Sequence, residues 1–153
     1  MKSFHNLMMI IPGKITESAI LAALMHSNFK MMIVKTHQLR EENPIKIAEV
    51  TADEILINTP EEALQLMVDL YYQDFDRIIL HEDNITPDFF DLKTGIAGEV
   101  LQKFSNYRLR LAIVGNFSKY PGKSIRDFIY ESNNGRLVNF VASTEQAIEQ
   151  LMK

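Results

Sequence analysis

The chain contains no cysteine among its 153 residues. Disulfide bonds, thiolate nucleophiles and metal sites built on cysteine are therefore excluded. No apolar run approaches the roughly 20 residues that a membrane-spanning helix needs. The apolar segments near the N-terminus are interrupted by Pro12, Gly13 and Lys14, which argues against a signal peptide. We therefore expect a cytoplasmic protein that contacts no membrane.

The chain also lacks a large excess of either charge, because its 16 basic and 20 acidic residues leave a net charge of only -4. The basic residues are scattered, so no extended surface is expected to attract nucleic acid. The sequence comes closest to a basic patch at Lys103, Arg108 and Arg110. We interpret these three residues as part of a solvated face. Hydrophobic residues make up 46% of the chain, which is typical of a globular domain.

The apolar pattern predicts an α/β protein with a mixed central sheet of about five strands and about four helices. A hairpin of two strands, 33–39 and 45–51, comes first and is joined by a polar turn. Helices then alternate with short apolar strands at 78–80, 109–114 and 137–141. Two helix starts are indicated by a hydroxyl residue followed by acids: Thr59-Pro60-Glu61 and Ser143-Thr144-Glu145.

The first 30 residues differ from the rest and are expected to form an N-terminal extension to a domain over 31–153. Thr16 is a suitable cap for a helix over 17–28. One hypothesis is that Met31 or Met32 is the true start of the protein. The other is that the extension covers an exposed sheet edge or mediates homo-oligomer formation.

The first candidate site lies where the loop DFFDLKTG becomes the helix IAGEVLQKF. Its residues are Asp91, Lys93, Thr94, Gly95 and Gly98. Thr94 could simply cap the helix. Alternatively, it is a phosphorylation site, because a helix N-terminus favours a phosphate and Lys93 could pair with it. The two glycines disfavour a helix, which would be explained if the helix approaches a strand, a neighbour or a partner closely.

A second candidate is the loop that leads to Lys123 and Ser124. It ends in Gly-Lys-Ser, as a Walker A phosphate loop does. However, six residues separate Gly115 from Gly122, whereas that motif has four between its glycines. We therefore predict a looser anion-binding site at the helix start, made by Lys123, Ser124 and free N–H groups.

A third group follows a strand and consists of His81, Glu82 and Asp83, with Asp88 and Asp91 nearby. Such residues could bind a divalent metal or transfer protons. Their spacing matches no established ligand pattern, and loop acids are commonly just solvated, so we expect no metal and no cofactor.

The fourth candidate is a helix face that carries Arg126 and Tyr130, with Asp127 beside it. Arg and Tyr are typical anchors of protein interfaces, so a partner-binding face is one interpretation. The other is a set of stabilising surface pairs.

The order of elements over 33–153 resembles the STAS fold of anti-sigma-factor antagonists. That family carries a regulatory Asp-Ser-Ser/Thr-Gly at the start of its second main helix, and Thr94 and Gly95 match its phosphorylatable hydroxyl and glycine. Lys93 replaces the first serine, and Asp91 stands one residue early. The strings FFDLKTGIAGEVLQKFSNYRLRLAIVGNFS and SIRDFIYESNNG also resemble an uncharacterised bacterial family of domains of unknown function.

The sequence therefore favours a non-enzymatic regulatory module that binds a protein partner around Thr94, with phosphorylation as a switch. The alternative is a small-molecule or anion-binding domain, or an enzyme, that uses the loop before Lys123 and the acids near His81.

Overall fold

The computed structural model describes residues 8–10 and 31–153, in which helices pack on both faces of a mixed sheet. The strands lie in chain order across the sheet. They are β1 (Met8–Ile10), β2 (Met31–Leu39), β3 (Ile45–Ala52), β4 (Arg77–His81), β5 (Arg110–Val114) and β6 (Val138–Val141). The helices are α1 (Pro60–Tyr71), α2 (Ile96–Asn106), α3 (Lys123–Asn134) and α4 (Thr144–Met152).

Strands β2 to β6 and the four helices confirm the predicted α/β fold. Strands β2 and β3 form the antiparallel hairpin, and β3 to β6 run parallel. Strand β1 adds three residues at the edge, parallel to β2. The helix predicted over 17–28 lies outside the described residues. The apolar run near residue 56 is not a strand; Leu56 and Ile57 are buried, and Ile57 forms an isolated bridge with Ile85.

Helix α1 begins where the capping residues predict. The Thr59 hydroxyl accepts a hydrogen bond from the Glu62 N–H at 3.2 Å, and the Glu62 carboxylate accepts one from the Asn58 N–H at 2.6 Å. Pro60 occupies the first turn, where a missing N–H costs nothing. Ser143 caps α4 in the same way by accepting from the Gln146 N–H. Local capping chemistry thus determines both starts.

The sheet has a different cover on each face. Side chains alternate along β4 and β5, so that Ile78 and Leu111 face helices α1 to α3 while Ile79 and Ala112 face α4. All three crossover helices therefore lie on one face. The opposite face is covered by the single helix α4, and this leaves room there for polar side chains.

The C-terminal end of α4 is bound by two arginines from neighbouring strands. Arg77 donates to the Leu151 carbonyl at 2.8 Å, and Arg110 donates to the carbonyls of Gln150 and Leu151, each at 2.8 Å. These bonds satisfy carbonyls that a helix end leaves without partners. The interpretation of Arg110 as part of a solvated face was therefore wrong, because α4 packs against the edge where β5 begins.

The parallel strands bring the loops that follow them to one edge of the sheet, which we call the carboxyl edge. In open α/β sheets, crevices outside this edge are where ligands bind. Within the described residues, no helix is long and apolar enough to cross a membrane.

Candidate functional site

Thr94 is exposed at the carboxyl edge and organises the turn that precedes α2. The single proton of its hydroxyl is shared between the carbonyls of Asp88 and Asp91, at 2.7 and 2.8 Å, and the hydroxyl oxygen accepts from the Ile96 N–H at 3.3 Å. Thr94 is not the N-cap residue of α2, because Gly95 occupies that position without a side-chain bond. A short 3-10 turn over residues 92–94 separates the loop from the helix, and it shifts the cap by one residue.

The two glycines beside Thr94 have different physical roles. Gly95 has φ 78°, a left-handed conformation that favours glycine. Gly98 is exposed, and a Cβ built on it would meet no atom within 4 Å. Within the described chain, α2 therefore does not approach a strand or a neighbouring element closely at Gly98. A close approach by a partner stays a prediction.

Replacing Gly98 by alanine is expected to raise the free energy of unfolding by about 0.5–1 kcal/mol, because alanine loses less backbone entropy in a helix. Urea denaturation would measure this. The matched control is Gly95→Ala, which is expected to lower stability by about 1–2 kcal/mol because of its positive φ. Equal effects of the two substitutions would contradict the assigned roles.

A buried carboxylate joins the loop after β4 to the loop after β5. Glu82 is 6% exposed, and it accepts hydrogen bonds from the Tyr120 hydroxyl at 2.5 Å and from the Asn116 N–H at 2.9 Å. The Lys119 ammonium lies 2.5 Å from the same carboxylate. We call Glu82, Asn116, Lys119 and Tyr120 the loop clamp. It satisfies a buried charge, which would otherwise be costly.

The loop clamp also positions the Thr94 turn. The Tyr120 ring stacks on Phe90, with ring centroids 4.4 Å apart and planes at 16°, and Phe90 lies in the same loop as Thr94. Burial raises the pKa of the Tyr120 hydroxyl, and the hydrogen bond to Glu82 raises it further. The phenol therefore remains a neutral donor, which is the form that the clamp requires.

A second polar group lies on the α4 face of the sheet and was not predicted. Glu49 of β3 accepts hydrogen bonds from His37 Nε2 of β2 at 2.7 Å and from His81 Nε2 of β4 at 2.9 Å. The Thr144 hydroxyl, at the start of α4, donates to the same carboxylate at 3.0 Å. We call these four residues the Glu49 cluster. It ties three strands and one helix together at a single carboxylate.

The charge of Glu49 is stabilised by these donors. Burial alone would raise the pKa of Glu49, but the hydrogen bonds from His37, His81 and Thr144 outweigh it and hold the pKa below its ordinary value. The N-terminus of α4 adds a favourable dipole. One sequence signal could have indicated the group, since Glu49 interrupts a row of apolar positions on one face of β3.

The predicted group around His81 does not assemble. His81 faces Glu49, Glu82 belongs to the loop clamp, and Asp83 is exposed. The main chain of Asp88 and Asp91 supports the Thr94 turn. In the described ranges, no set of three or more His, Cys, Asp or Glu side chains is arranged to hold a metal ion.

Lys123 and Ser124 lie at the start of α3, as predicted, and both are exposed. The Lys123 ammonium pairs with Asp127, one turn further along the helix. Gly122 occupies the N-cap position and provides no side-chain bond. The anion-binding role of Lys123 and Ser124 stays a prediction.

Arg126 and Tyr130 are exposed on α3, and 70% of Tyr130 is accessible. Asp127 pairs with Lys123. This arrangement leaves Tyr130 as a large aromatic surface residue. The partner-binding face at Arg126 and Tyr130 also stays a prediction.

A cleft of about 590 Å³ lies at the carboxyl ends of β5 and β6. Loop residues 115–118 form one side, and residues 139–142 with the outer face of α4 form the other. Asn133 of α3 closes one end by donating to the Phe140 carbonyl at 3.1 Å and accepting from the Phe140 N–H at 2.7 Å. The loop before Lys123 thus contributes to a cavity, whereas Lys123 itself does not line it.

Comparison with known proteins assigns the chain to a family but to no activity. The family model described as Domain of unknown function (DUF4180) matches residues 42–151. No curated protein and no solved structure matches the chain. The predicted resemblance to a family of domains of unknown function is confirmed. The predicted resemblance to the STAS fold is not confirmed by these comparisons and stays a prediction.

Proposed function

Since the chain belongs to the DUF4180 family, a domain of unknown function, its own geometry has to indicate its role, and we propose that it is a regulatory module that binds a protein partner around Thr94. Phosphorylation of Thr94 is the proposed switch. The observation that carries this proposal is the hydroxyl of the exposed residue Thr94, whose single proton is shared between two main-chain carbonyls just before a helix. We further propose that the module is non-enzymatic, cytoplasmic and bacterial.

Phosphorylation would change the turn through hydrogen bonding. A phosphate on Thr94 has no proton to donate to the Asp88 and Asp91 carbonyls, which lie 2.7 and 2.8 Å from the oxygen that would carry it. It would also bring about -1.5 to -2 charges next to those carbonyl oxygens. The free N–H groups at the start of α2 would attract the same phosphate. The turn therefore has two competing sets of partners, as a switch requires.

The main chain supports the turn independently of the hydroxyl. The Thr94 N–H donates to the Asp91 carbonyl at 3.0 Å, and the Gly95 N–H donates to the Leu92 carbonyl at 3.3 Å. Removal of the hydroxyl alone should therefore leave the turn in place. A negative charge at the same position should displace it, because carbonyl oxygens repel an anion.

The experiment compares Thr94→Ala, Thr94→Glu and wild type in affinity capture from the native host's lysate, followed by mass spectrometry. A protein recovered with wild type and Thr94→Ala but depleted about tenfold or more with Thr94→Glu would support the switch; tenfold corresponds to about 1.4 kcal/mol of binding free energy. The matched control is Thr59→Glu, which alters another exposed threonine at the start of a helix and should retain the partner.

Two outcomes would contradict the proposal. One is equal recovery of every specific partner with Thr94→Ala and Thr94→Glu. The other is loss of the partner with Thr59→Glu as well, which would indicate a general effect of acidic substitutions. Recovery of further copies of this chain would identify the partner as a homo-oligomer, which size-exclusion chromatography of the same variants would test.

The alternative function is the binding of a small molecule or anion through the loop before Lys123 and the acids near His81. The pairing of Lys123 with Asp127 and of Glu82 with Lys119 gives it less support. Measuring the melting temperature of the protein with and without inorganic phosphate tests the anion-binding alternative directly. A ligand at 100 times its Kd should add about 2.7 kcal/mol to stability.

A further inference from the structure

The cleft at the ends of β5 and β6 has the volume and position of a small-molecule site. Its volume of about 590 Å³ lies within the roughly 300–1,000 Å³ that such sites have. It opens at the carboxyl edge, where parallel sheets bind ligands. Three elements form it: the loop that follows β5, strand β6, and the outer face of α4. The proposed partner surface is a different one, because it is formed by the turn before α2.

Two carboxamides that line the cleft, those of Asn116 and Gln146, are each held by the carbonyl oxygen and leave the amide nitrogen available. The Asn116 carbonyl oxygen accepts from the Ser118 N–H and hydroxyl, at 3.3 and 2.6 Å. The Gln146 carbonyl oxygen accepts from the Ala142 N–H at 3.0 Å. The amide nitrogens of Asn116 and Gln146 have no partner among the described residues. They are therefore oriented donors for a molecule in the cleft.

Acceptors are present on the same surface. The Asn139 amide nitrogen donates to the Gly135 carbonyl at 3.2 Å, which leaves its carbonyl oxygen without a partner in the described part of the chain. Glu149 lines the cleft and is exposed. The cleft therefore offers both donors and acceptors, and a hydroxyl group can use both at once.

The charge of the cleft disfavours anionic ligands. Glu149 is the one ionisable residue among the described residues that line it, and no Lys, Arg or His is present to pair with an anion. Phe117 adds a partly buried aromatic side chain to the lining. From the oriented amides, the acceptors and the absence of a cation in this lining, we propose that the cleft binds a small uncharged molecule with several hydroxyl groups, such as a monosaccharide.

The test is an NMR titration of the isotope-labelled full chain with glucose as the probe and glucose 6-phosphate as its anionic match. Glucose is expected to shift the amide signals of residues 116–118 and 146–150. Glucose 6-phosphate should bind about tenfold more weakly because Glu149 repels it. In Glu149→Gln, which keeps the shape and removes the charge, the two probes should bind alike. Glu145→Gln, an exposed acid on the same helix outside the cleft, should keep the discrimination.

A blocking variant makes the proposal easier to reject. Ala142→Leu adds bulk to the lining without removing a polar side chain, and it should abolish the glucose-induced shifts while the rest of the spectrum remains that of the folded chain. The proposal is overturned if neither sugar produces shifts at millimolar concentration, if the shifts survive Ala142→Leu, or if spermidine binds where glucose does not, which would indicate a cation site.

Discussion

Gly115→Ala is expected to lower the free energy of unfolding by about 2–4 kcal/mol, the sum of overpacking and lost hydrogen bonds. A Cβ at position 115 would lie 2.5 Å from the Cβ of Glu82. Because that atom is close to the main chain, Glu82 cannot avoid it by a rotamer change alone. The clamp bonds to Asn116, Lys119 and Tyr120 should be lost together. Urea denaturation monitored by circular dichroism would measure the effect.

A double-mutant cycle tests the cause of that loss. Glu82→Gly removes the atoms with which the new Cβ overlaps, including the Cβ of Glu82, although it also removes the clamp itself. The double variant Gly115→Ala with Glu82→Gly should therefore be less destabilised than the sum of the two single variants, with a coupling of about 1 kcal/mol or more. Additive effects would show that Gly115 is needed for another reason. Gly98→Ala is the control, because its added Cβ meets nothing.

Glu49→Ala is expected to lower the free energy of unfolding by about 1–3 kcal/mol, because His37, His81 and Thr144 lose their common acceptor. The two histidines are partly accessible to water. Leaving them without an acceptor therefore costs less than it would for fully buried donors. Chemical denaturation at neutral pH would measure the change. Glu41→Ala, which alters an exposed acid, should stay within about 0.5 kcal/mol of wild type.

The stabilisation by Glu49 should also depend on pH in a defined direction. The pKa of Glu49 in the folded chain lies below its ordinary value of 4.5. The stability that it contributes is therefore fully present above pH 4.5 and is lost as the pH falls through the folded-state pKa. The difference in stability between wild type and Glu49→Gln should shrink on acidification. A difference that stays constant, or grows, would contradict the assigned role of the charge.

The loop clamp connects the two proposed binding surfaces. Asn116 bonds to Glu82 through its N–H and lines the cleft with its side chain. Tyr120 stacks on Phe90, which lies in the loop that ends at Thr94. A variant that opens the clamp, such as Gly115→Ala, should therefore disturb both surfaces. Variants at Thr94 and Ala142, by contrast, should each affect one of them.

Several elements could be predicted because their signals are local. The start of α1 follows from the hydroxyl of Thr59, the proline after it and the acids of the first turn, all within a few residues of each other. The position of Thr94 between a loop and a helix was predicted correctly for the same reason. The interpretation of Thr94 as the cap of α2 was wrong, because a 3-10 turn of three residues ends at Thr94 and leaves Gly95 as the cap. Apolar periodicity does not indicate so short a turn.

The partners of the polar residues could not be predicted, because strand pairing decides them. His81 was grouped with the acids beside it in the chain, yet its partner Glu49 is 32 residues away on the neighbouring strand. Arg110 was assigned to solvent, yet it binds carbonyls of a helix about 40 residues later. The sequence by itself determined the order of the elements and the caps of α1 and α4, since propensity and capping act over a few residues. Only the tertiary structure decided the Glu49 cluster, the loop clamp and the amide-lined cleft, because each joins side chains that meet only after β3 to β6 pair and α4 packs on the sheet.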